Sequence, residues 1–528
     1  MTSHERRLVA FLSDPGSYPH PAGAVERRET HVSHVFLAGG FAYKLKKPVK
    51  FPFLDASTLA LRKRYCLLEL TLNRRLAPAT YLGIVPVTES RGKLSLGGRG
   101  RLVEWLVKMR RLPEARMMDQ VVARRRITRR DIGRIAGRLV PFFRAAERGR
   151  SAAHYGLFPQ VRELVLGNLR ECGMFAGRLA AAADLATIER AYRQFLALYE
   201  PLLARRVRER RIIDGHGDLR CENICLTEPP AIFDCVEFQP AFRCGDMIYD
   251  LSFLVMDLEF RGRHDLGALL AARYRRALAD RSPEALLAFY KCHRTLVRAK
   301  VRGFSWLQHP GTAEGRRIRR LAQRHFALAL RYARQFAPPR LIAVGGLIGS
   351  GKSTLARGLA DALGAAWLRT DEIRLTSFAH KRRAGQGFRG GLYAPHVSEL
   401  VYGRLVRKAE SLIRQGRSVV CDGTFSKAEG RDRLRRMARR HGASFHFVEC
   451  AVPAAVALRR LARRAEAKSD ISEARPAHYA LLKRGFEPVR RWPRAAWSRL
   501  SDNRAPEATL RAALRALRRS WLETGRWR

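Results

Sequence analysis

Residues 345–354 read Gly345-Gly346-Leu347-Ile348-Gly349-Ser350-Gly351-Lys352-Ser353-Thr354, and Gly346 to Ser353 spell GxxxxGK[ST]. Glycines at this spacing let successive backbone N–H groups face one anion, at a helix N-terminus whose dipole favours negative charge. Lys352 follows where an ammonium reaches the β- and γ-phosphates of a nucleotide, and Ser353 where a hydroxyl holds Mg²⁺. Gly346, Gly349, Ser350, Gly351, Lys352, Ser353 and Thr354 are therefore candidate ATP ligands, and Ser353 is also a candidate metal ligand. The flanks agree. Leu341-Ile342-Ala343-Val344 precedes as an apolar strand, and Leu355, Leu359 and Leu363 recur at helical spacing.

A second set lies between 214 and 234. In Asp214-Gly215-His216-Gly217-Asp218-Leu219-Arg220-Cys221-Glu222-Asn223, Asp218 and Asn223 stand five positions apart. One carboxylate can then orient an attacking hydroxyl while one amide oxygen binds Mg²⁺. The apolar Ala231-Ile232-Phe233 delivers Asp234, a second metal-binding carboxylate. Upstream, Lys44 ends an apolar strand and Glu69 lies on the next helix, a pair suited to holding the α- and β-phosphates. Lys46, Lys47 and Lys50 compete closely with Lys44 for that role. Gly39-Gly40 reads either as a phosphate-covering loop or as a plain turn.

The pattern HGDLRxxN resembles the aminoglycoside-phosphotransferase branch of the protein-kinase-like fold, with Arg220 where related loops commonly carry His. Tyr43-Lys44-Leu45-Lys46-Lys47-Pro48-Val49, Phe53-Leu54-Asp55, Leu72-Asn73-Arg74-Arg75-Leu76-Ala77-Pro78 and Phe233-Asp234-Cys235-Val236-Glu237-Phe238, with Asp246 and Asp250-Leu251, resemble a bacterial family that joins a phosphotransferase-like domain to a P-loop kinase-like domain. The resemblance covers almost the whole chain. It implies fold and ATP use and leaves the acceptor unnamed. Arg369-Thr370-Asp371-Glu372-Ile373-Arg374 resembles P-loop kinases such as zeta toxins and polynucleotide kinases. That resemblance implies that Asp371 accepts the proton of the substrate hydroxyl; a helix cap is the competing reading.

Asp422 ends the apolar run Ser418-Val419-Val420-Cys421, where a carboxylate can hold Mg²⁺ through water. Arg460 and Arg464 share one helical face and would bring charge to a transferring γ-phosphoryl group, in a lid ending at Asp470-Ile471-Ser472-Glu473-Ala474. Arg459 and Arg463 have the same spacing, and a solvated basic helix is the competing reading.

These residues need two scaffolds. Residues 341–345, 365–369, 418–421, 445–448 and 498–500 read as strands, alternating with helices over 352–363, 397–415, 428–440, 453–465 and 505–519. Such alternation implies a parallel sheet with crossover helices and ligands at the carboxyl ends of its strands. The first half starts with a hairpin over 34–37 and 41–45, a helix over about 57–76, and strands near 82–88 and 101–109, with Glu104–Met109 expected as the hinge strand between two lobes. Beyond 127 it reads as largely helical except around 212–238. The expectation is a multidomain α/β and α+β chain. Residues 1–336 form a bilobal protein-kinase-like domain and 340–528 a P-loop NTPase domain, divided at Gln335-Phe336-Ala337-Pro338-Pro339.

Length and composition fit this plan. The 528 residues suffice for two or three domains, and 46% hydrophobic content supports sizeable cores. No run approaches the ~18 apolar residues of a membrane span. The first residues lack the apolar region of a secretory signal. Nine scattered cysteines point to a reducing cytoplasm. Cys221, Cys225, Cys235 and Cys244 crowd one region without the paired spacing of a zinc site. A net charge of +53 attracts anionic substrates and leaves a nucleic-acid partner open beside a diffusely charged, arginine-rich surface.

The function expected is an ATP- and Mg²⁺-dependent phosphotransferase acting on a hydroxyl-bearing acceptor. The alternatives are a polynucleotide 5′-hydroxyl kinase and a regulatory ATP-binding protein with an N-terminal pseudokinase. The complete Asp218, Asn223 and Asp234 set argues against the last.

Overall fold

The computed structural model describes residues 3–51, 54–378, 394–467, 476–489, 492–501 and 505–524. The chain divides into two compact units, one of Met1–Val161 with Leu203–Pro283, the other of Arg162–Leu202 with Glu284–Arg528.

The first unit is built on a six-stranded antiparallel sheet. Its order is Glu26–Glu29, Ser33–Ala38, Phe41–Lys46, Arg101–Arg110, Tyr81–Ser90, Lys93–Leu96. Side chains alternate across a strand with period two. Tyr43 and Leu45 therefore join Phe36, Val87 and Leu106 on one face, beneath Leu8 and Leu12 of the Ser3–Ser13 helix. Ala42 points the other way and packs with Val107, Met109 and Cys66. Lys44 and Lys46 share that second face, toward the Leu59–Arg74 helix. The Arg101–Arg110 strand expected at the hinge runs through the sheet interior, and Glu104 is buried there against Arg62.

Gly39-Gly40 is the turn between Ser33–Ala38 and Phe41–Lys46. The Gly39 N–H donates to the Ala22 carbonyl, and a Cβ there would meet the Pro21 carbonyl oxygen at 2.4 Å. That glycine serves a packed turn, as the turn reading expects. Two short ladders frame the 214–234 segment: Ile212–Asp214 pairs with Cys244–Asp246, and Ile224–Cys225 with Ala231–Ile232.

The second unit contains a five-stranded, wholly parallel sheet. Its order is Ala366–Arg369, Val419–Asp422, Arg340–Gly346, Ser444–Ala451, Trp497–Ser501. The chain makes its crossovers through the helices Lys352–Leu363, Pro395–Arg414, Ala428–Arg440 and Ala454–Ala467. All of Arg340–Gly346 is buried, as a central parallel strand must be.

The cut expected between 336 and 340 falls inside this unit. Gln194 shows the physical reason: its side-chain oxygen accepts from the Ser418 hydroxyl at 2.8 Å while its amide donates to the Pro338 carbonyl at 3.3 Å. Arg518 donates to the Ala197 carbonyl at 2.6 Å. Phe195 stacks on Phe289 with ring centroids 4.1 Å apart, and Phe336 packs edge-on against both. The helices before Pro338 and the sheet after it thus bury common surface. No helix among the described residues is long and apolar enough to cross a membrane.

Candidate active sites

In the first unit the pair expected between Lys44 and Glu69 is formed. Lys44 Nζ donates to Glu69 Oε1 at 2.8 Å and to Asp234 Oδ1 at 2.8 Å. Lys46, the competitor, donates to the other Glu69 oxygen at 2.6 Å and to Glu237 Oε1 at 2.5 Å. Lys46 is buried and Lys44 largely so, which works against their charge, but the surrounding carboxylates outweigh this and raise both. Burial alone would raise Glu69; the two ammonium groups instead pull it down to about 2. Of the two, Lys44 is the one that reaches Asp234. Lys50 is exposed and pairs with Asp55, and Lys47 pairs with Glu29.

Asp234 takes φ +62°, a left-handed backbone that few non-glycine residues adopt and that Asp tolerates. Its neighbours hold it there. Its N–H donates to the Tyr81 hydroxyl at 3.3 Å, and the Cys235 N–H to Asn73 Oδ1 at 2.8 Å. The backbone around His216 and Gly217 is fixed by Asp250, which accepts from both N–H groups, each at 2.8 Å. His216 is buried, which lowers its basicity, and its Nε2 bonds the Phe233 carbonyl at 3.0 Å. Asn223 donates to Asp218 Oδ2 at 2.9 Å. Lys44, Glu69 and Asp234 form one group and Asp218 with Asn223 another, and His216 joins them into one network by accepting from the Asp218 N–H at 3.3 Å while bonding the Phe233 carbonyl beside Asp234. Asp250, Tyr81 and Asn73 act on it from separate segments, a link that no local motif could reveal.

In the second unit the loop after Arg340–Gly346 forms a cradle. Gly346, Gly349 and Gly351 have φ of +143°, +76° and +84°. A Cβ at Gly346 would meet the Cys450 carbonyl oxygen at 2.3 Å, and one at Gly349 the Ala457 carbonyl oxygen at 2.6 Å. Only glycine fits both the conformation and the space. Ser350 Oγ is buried and has no hydrogen-bond partner among the described residues. A backbone nest with a spare hydroxyl, opening onto the N-terminus of the Lys352–Leu363 helix, fits a nucleotide's phosphates.

Asp422 ends its strand beside this cradle. Burial raises its carboxyl, Lys352 and a hydrogen bond from Ser353 pull it back, and Asp371 adds a further rise. Arg369, its register partner, brings Nε to 3.8 Å from Asp422 Oδ2. Asp371 lies in the first turn of the Thr370–Phe378 helix. Nearby, the Tyr402 hydroxyl accepts from the Phe425 N–H at 3.0 Å and lies 3.2 Å from Thr424 Oγ1. Arg460 is separated from Arg459 by its rotation on the helix. Its Nη1 lies 3.3 Å from where a Gly351 Cβ would be, whereas Arg459, Arg463 and Arg464 are exposed. Asp470–Ala474 lies outside the described residues.

No group of three or more His, Cys, Asp or Glu side chains suited to a metal occurs among the described residues. The donor set beside the cradle is instead a hydroxyl with one carboxylate, Ser353 and Asp422. Such a sparse oxygen set suits Mg²⁺ carried by substrate phosphates.

Residues 341–489 match the family AAA_33, described as an AAA domain. Over 450 residues the chain is 35% identical to "Uncharacterized protein Rv2004c" of Mycobacterium tuberculosis, covering 84% of this chain and 87% of that protein. Among solved structures, a choline/ethanolamine kinase family protein from Mesorhizobium loti aligns at 15% identity and TM-score 0.33, over 63% of this chain and 99% of its own. A sugar kinase from Janibacter sp. HTCC2649 aligns at 21% identity and TM-score 0.28, over 36% and 96%.

Proposed function

We propose, for a chain that belongs to the family of the mycobacterial protein Rv2004c, an ATP-dependent phosphotransferase with two nucleotide sites, one in each unit, acting on a hydroxyl-bearing acceptor. The observation that carries this reading is the convergence at Gly351-Lys352-Ser353. Asp422, Asp371 and Arg460 come there from three other elements at the carboxyl end of a parallel sheet.

Bound Mg²⁺ and ATP would supply the phosphoryl group and a cation that neutralises its charge. Lys352 and the loop N–H groups hold the β- and γ-phosphates. Ser353 and Asp422 hold the cation. Asp371 takes the proton that the acceptor hydroxyl gives up as its oxygen bonds to phosphorus, and the bond from phosphorus to the leaving diphosphate oxygen breaks. Arg460 offsets charge on the transferring group, with Arg464 one turn further along the same helix. In the first unit Lys44, paired with Glu69, holds phosphates, Asp234 and Asn223 hold the cation, and Asp218 orients the acceptor. Positioning and charge neutralisation then do most of the work.

A polynucleotide 5′-hydroxyl is the second acceptor reading, favoured by the net charge of +53. It requires steep salt dependence of oligonucleotide binding. The test is transfer of a labelled γ-phosphoryl group across hydroxyl metabolites and 5′-hydroxyl oligonucleotides. Label in an acceptor supports the proposal. Release of phosphate alone across the whole panel would reduce the protein to an ATPase.

A further inference from the structure

Arg220 has no role in the scheme above, yet it engages both carboxylate oxygens of Asp218. Its backbone is extended, with φ −133° and ψ 163°, and residues two apart in an extended chain share a side. The Arg220 side chain therefore lies beside that of Asp218. Nε donates to Asp218 Oδ1 at 2.7 Å and Nη2 to Oδ2 at 2.8 Å, a two-pronged grip on both oxygens. The remaining edge, through Nη1, donates to Glu222, which Arg261 also holds at 3.2 Å. The guanidinium carbon lies 5.9 Å from the centre of the Phe253 ring, and the residue is buried. Asp257 anchors the same turn by accepting from the Cys221 N–H at 3.0 Å.

We infer that Arg220 is a positioning residue for phosphoryl transfer in the first unit, fixing the rotamer of Asp218 through a planar two-point contact that a single-point donor replaces only in part. A carboxylate gripped at both oxygens has one orientation, so an acceptor hydroxyl meets it from one direction. Asn223 adds a further donor, to Asp218 Oδ2 at 2.9 Å. The inference rests on the proposed role of Asp218 as the hydroxyl-orienting group.

The experiment uses the full chain carrying Lys352→Ala, which silences the P-loop site, and follows single-turnover release of labelled phosphate from Mg·ATP with water as acceptor. Arg220→Ala is expected to lower the rate on the order of 10²-fold, the cost of a misplaced reacting group. Its KM for ATP should stay within about 3-fold, since no nucleotide contact is lost. Guanidinium ion at tens of millimolar should restore part of the Arg220→Ala rate, and Arg220→Lys should be intermediate.

An unchanged rate in Arg220→Ala, a loss confined to KM, or a loss that neither guanidinium nor Lys relieves would overturn the inference. No turnover with Arg220 intact would overturn it as well. Binding of a fluorescent ATP analogue by the same proteins separates the two claims. If binding is lost on adding Lys44→Ala, the nucleotide site stands even when the Arg220 inference falls.

Discussion

At Asp422 the demands of stability and of the proposed chemistry conflict. A buried carboxyl whose value is raised binds its proton more tightly in the folded than in the unfolded chain. The ionised form therefore costs stability at neutral pH, and that cost disappears as pH falls through the raised value. Asp422→Asn should raise the melting temperature of the nucleotide-free protein at pH 7, by roughly 2–4 °C for about 1 kcal/mol of relief. The same change should weaken Mg²⁺-dependent nucleotide binding. Calorimetry and a binding titration on one variant check both signs, and a lower melting temperature would contradict the account.

Asp371→Asn separates a proton acceptor from a helix cap. Loss of a base slows acceptor phosphorylation by ~10²–10⁴ with ATP binding kept. Asn caps a helix about as well as Asp, so a cap alone would leave stability and turnover per molecule unchanged in this variant, and only Asp371→Ala would then cost ~1 kcal/mol. Single-turnover kinetics beside thermal unfolding decide between them.

The local motifs were legible at this scale because spacing along the chain encodes them: Lys352 after its glycines, Asn223 five residues after Asp218. Choices set by rotation or by distant segments were not legible. Lys44 and Lys46 lie on one strand face, so the alternation of side chains could not rank them. Arg460 and Arg459 differ only in which way the helix turns them.

At the scale of elements, the parallel sheet was readable because buried strands recur between amphipathic helices. The helices Lys352–Leu363 and Ala428–Arg440 coincide with the spans expected from the sequence. Elements without an apolar pattern escaped. Glu26–Glu29 is a wholly exposed edge strand of four charged residues, and Lys93–Leu96 is a four-residue strand at the opposite edge.

One element carries a pH prediction. His446 is buried in the Ser444–Ala451 strand, where Nδ1 donates to the Ala495 carbonyl at 3.3 Å and Nε2 accepts from the Ser498 hydroxyl at 3.0 Å. Burial lowers its pKa to about 4, while the Ala495 contact works the other way. The unfolded chain, with an ordinary value near ~6.5, then binds more protons between those limits. Stability from the neutral imidazole is complete above the unfolded value and is lost as pH falls through the window toward about 4. His446→Gln should flatten the stability–pH curve between pH 6.5 and 4 in urea titrations. An equally steep fall in the variant would assign the acid sensitivity elsewhere.

For the whole molecule, the Pro338-Pro339 pair marks a change of direction in the chain and not the limit of a core. The units are set by burial, and Gln194, Ala197 and Phe195 share theirs with Ser418, Arg518 and Phe336. A fragment beginning at Leu341 should therefore be poorly soluble or melt well below the second unit in the intact chain. A fragment as stable as that unit would restore the cut at 336–340 as a domain boundary.

The central claim is that each unit holds its own nucleotide, and stoichiometry tests it most directly. Titration calorimetry of the full chain with a non-hydrolysable ATP analogue and Mg²⁺ should give two sites per chain. Lys352→Ala should leave one site and Lys44→Ala the other, with the double variant binding none. A single site abolished by one of these changes and untouched by the other would contradict the account.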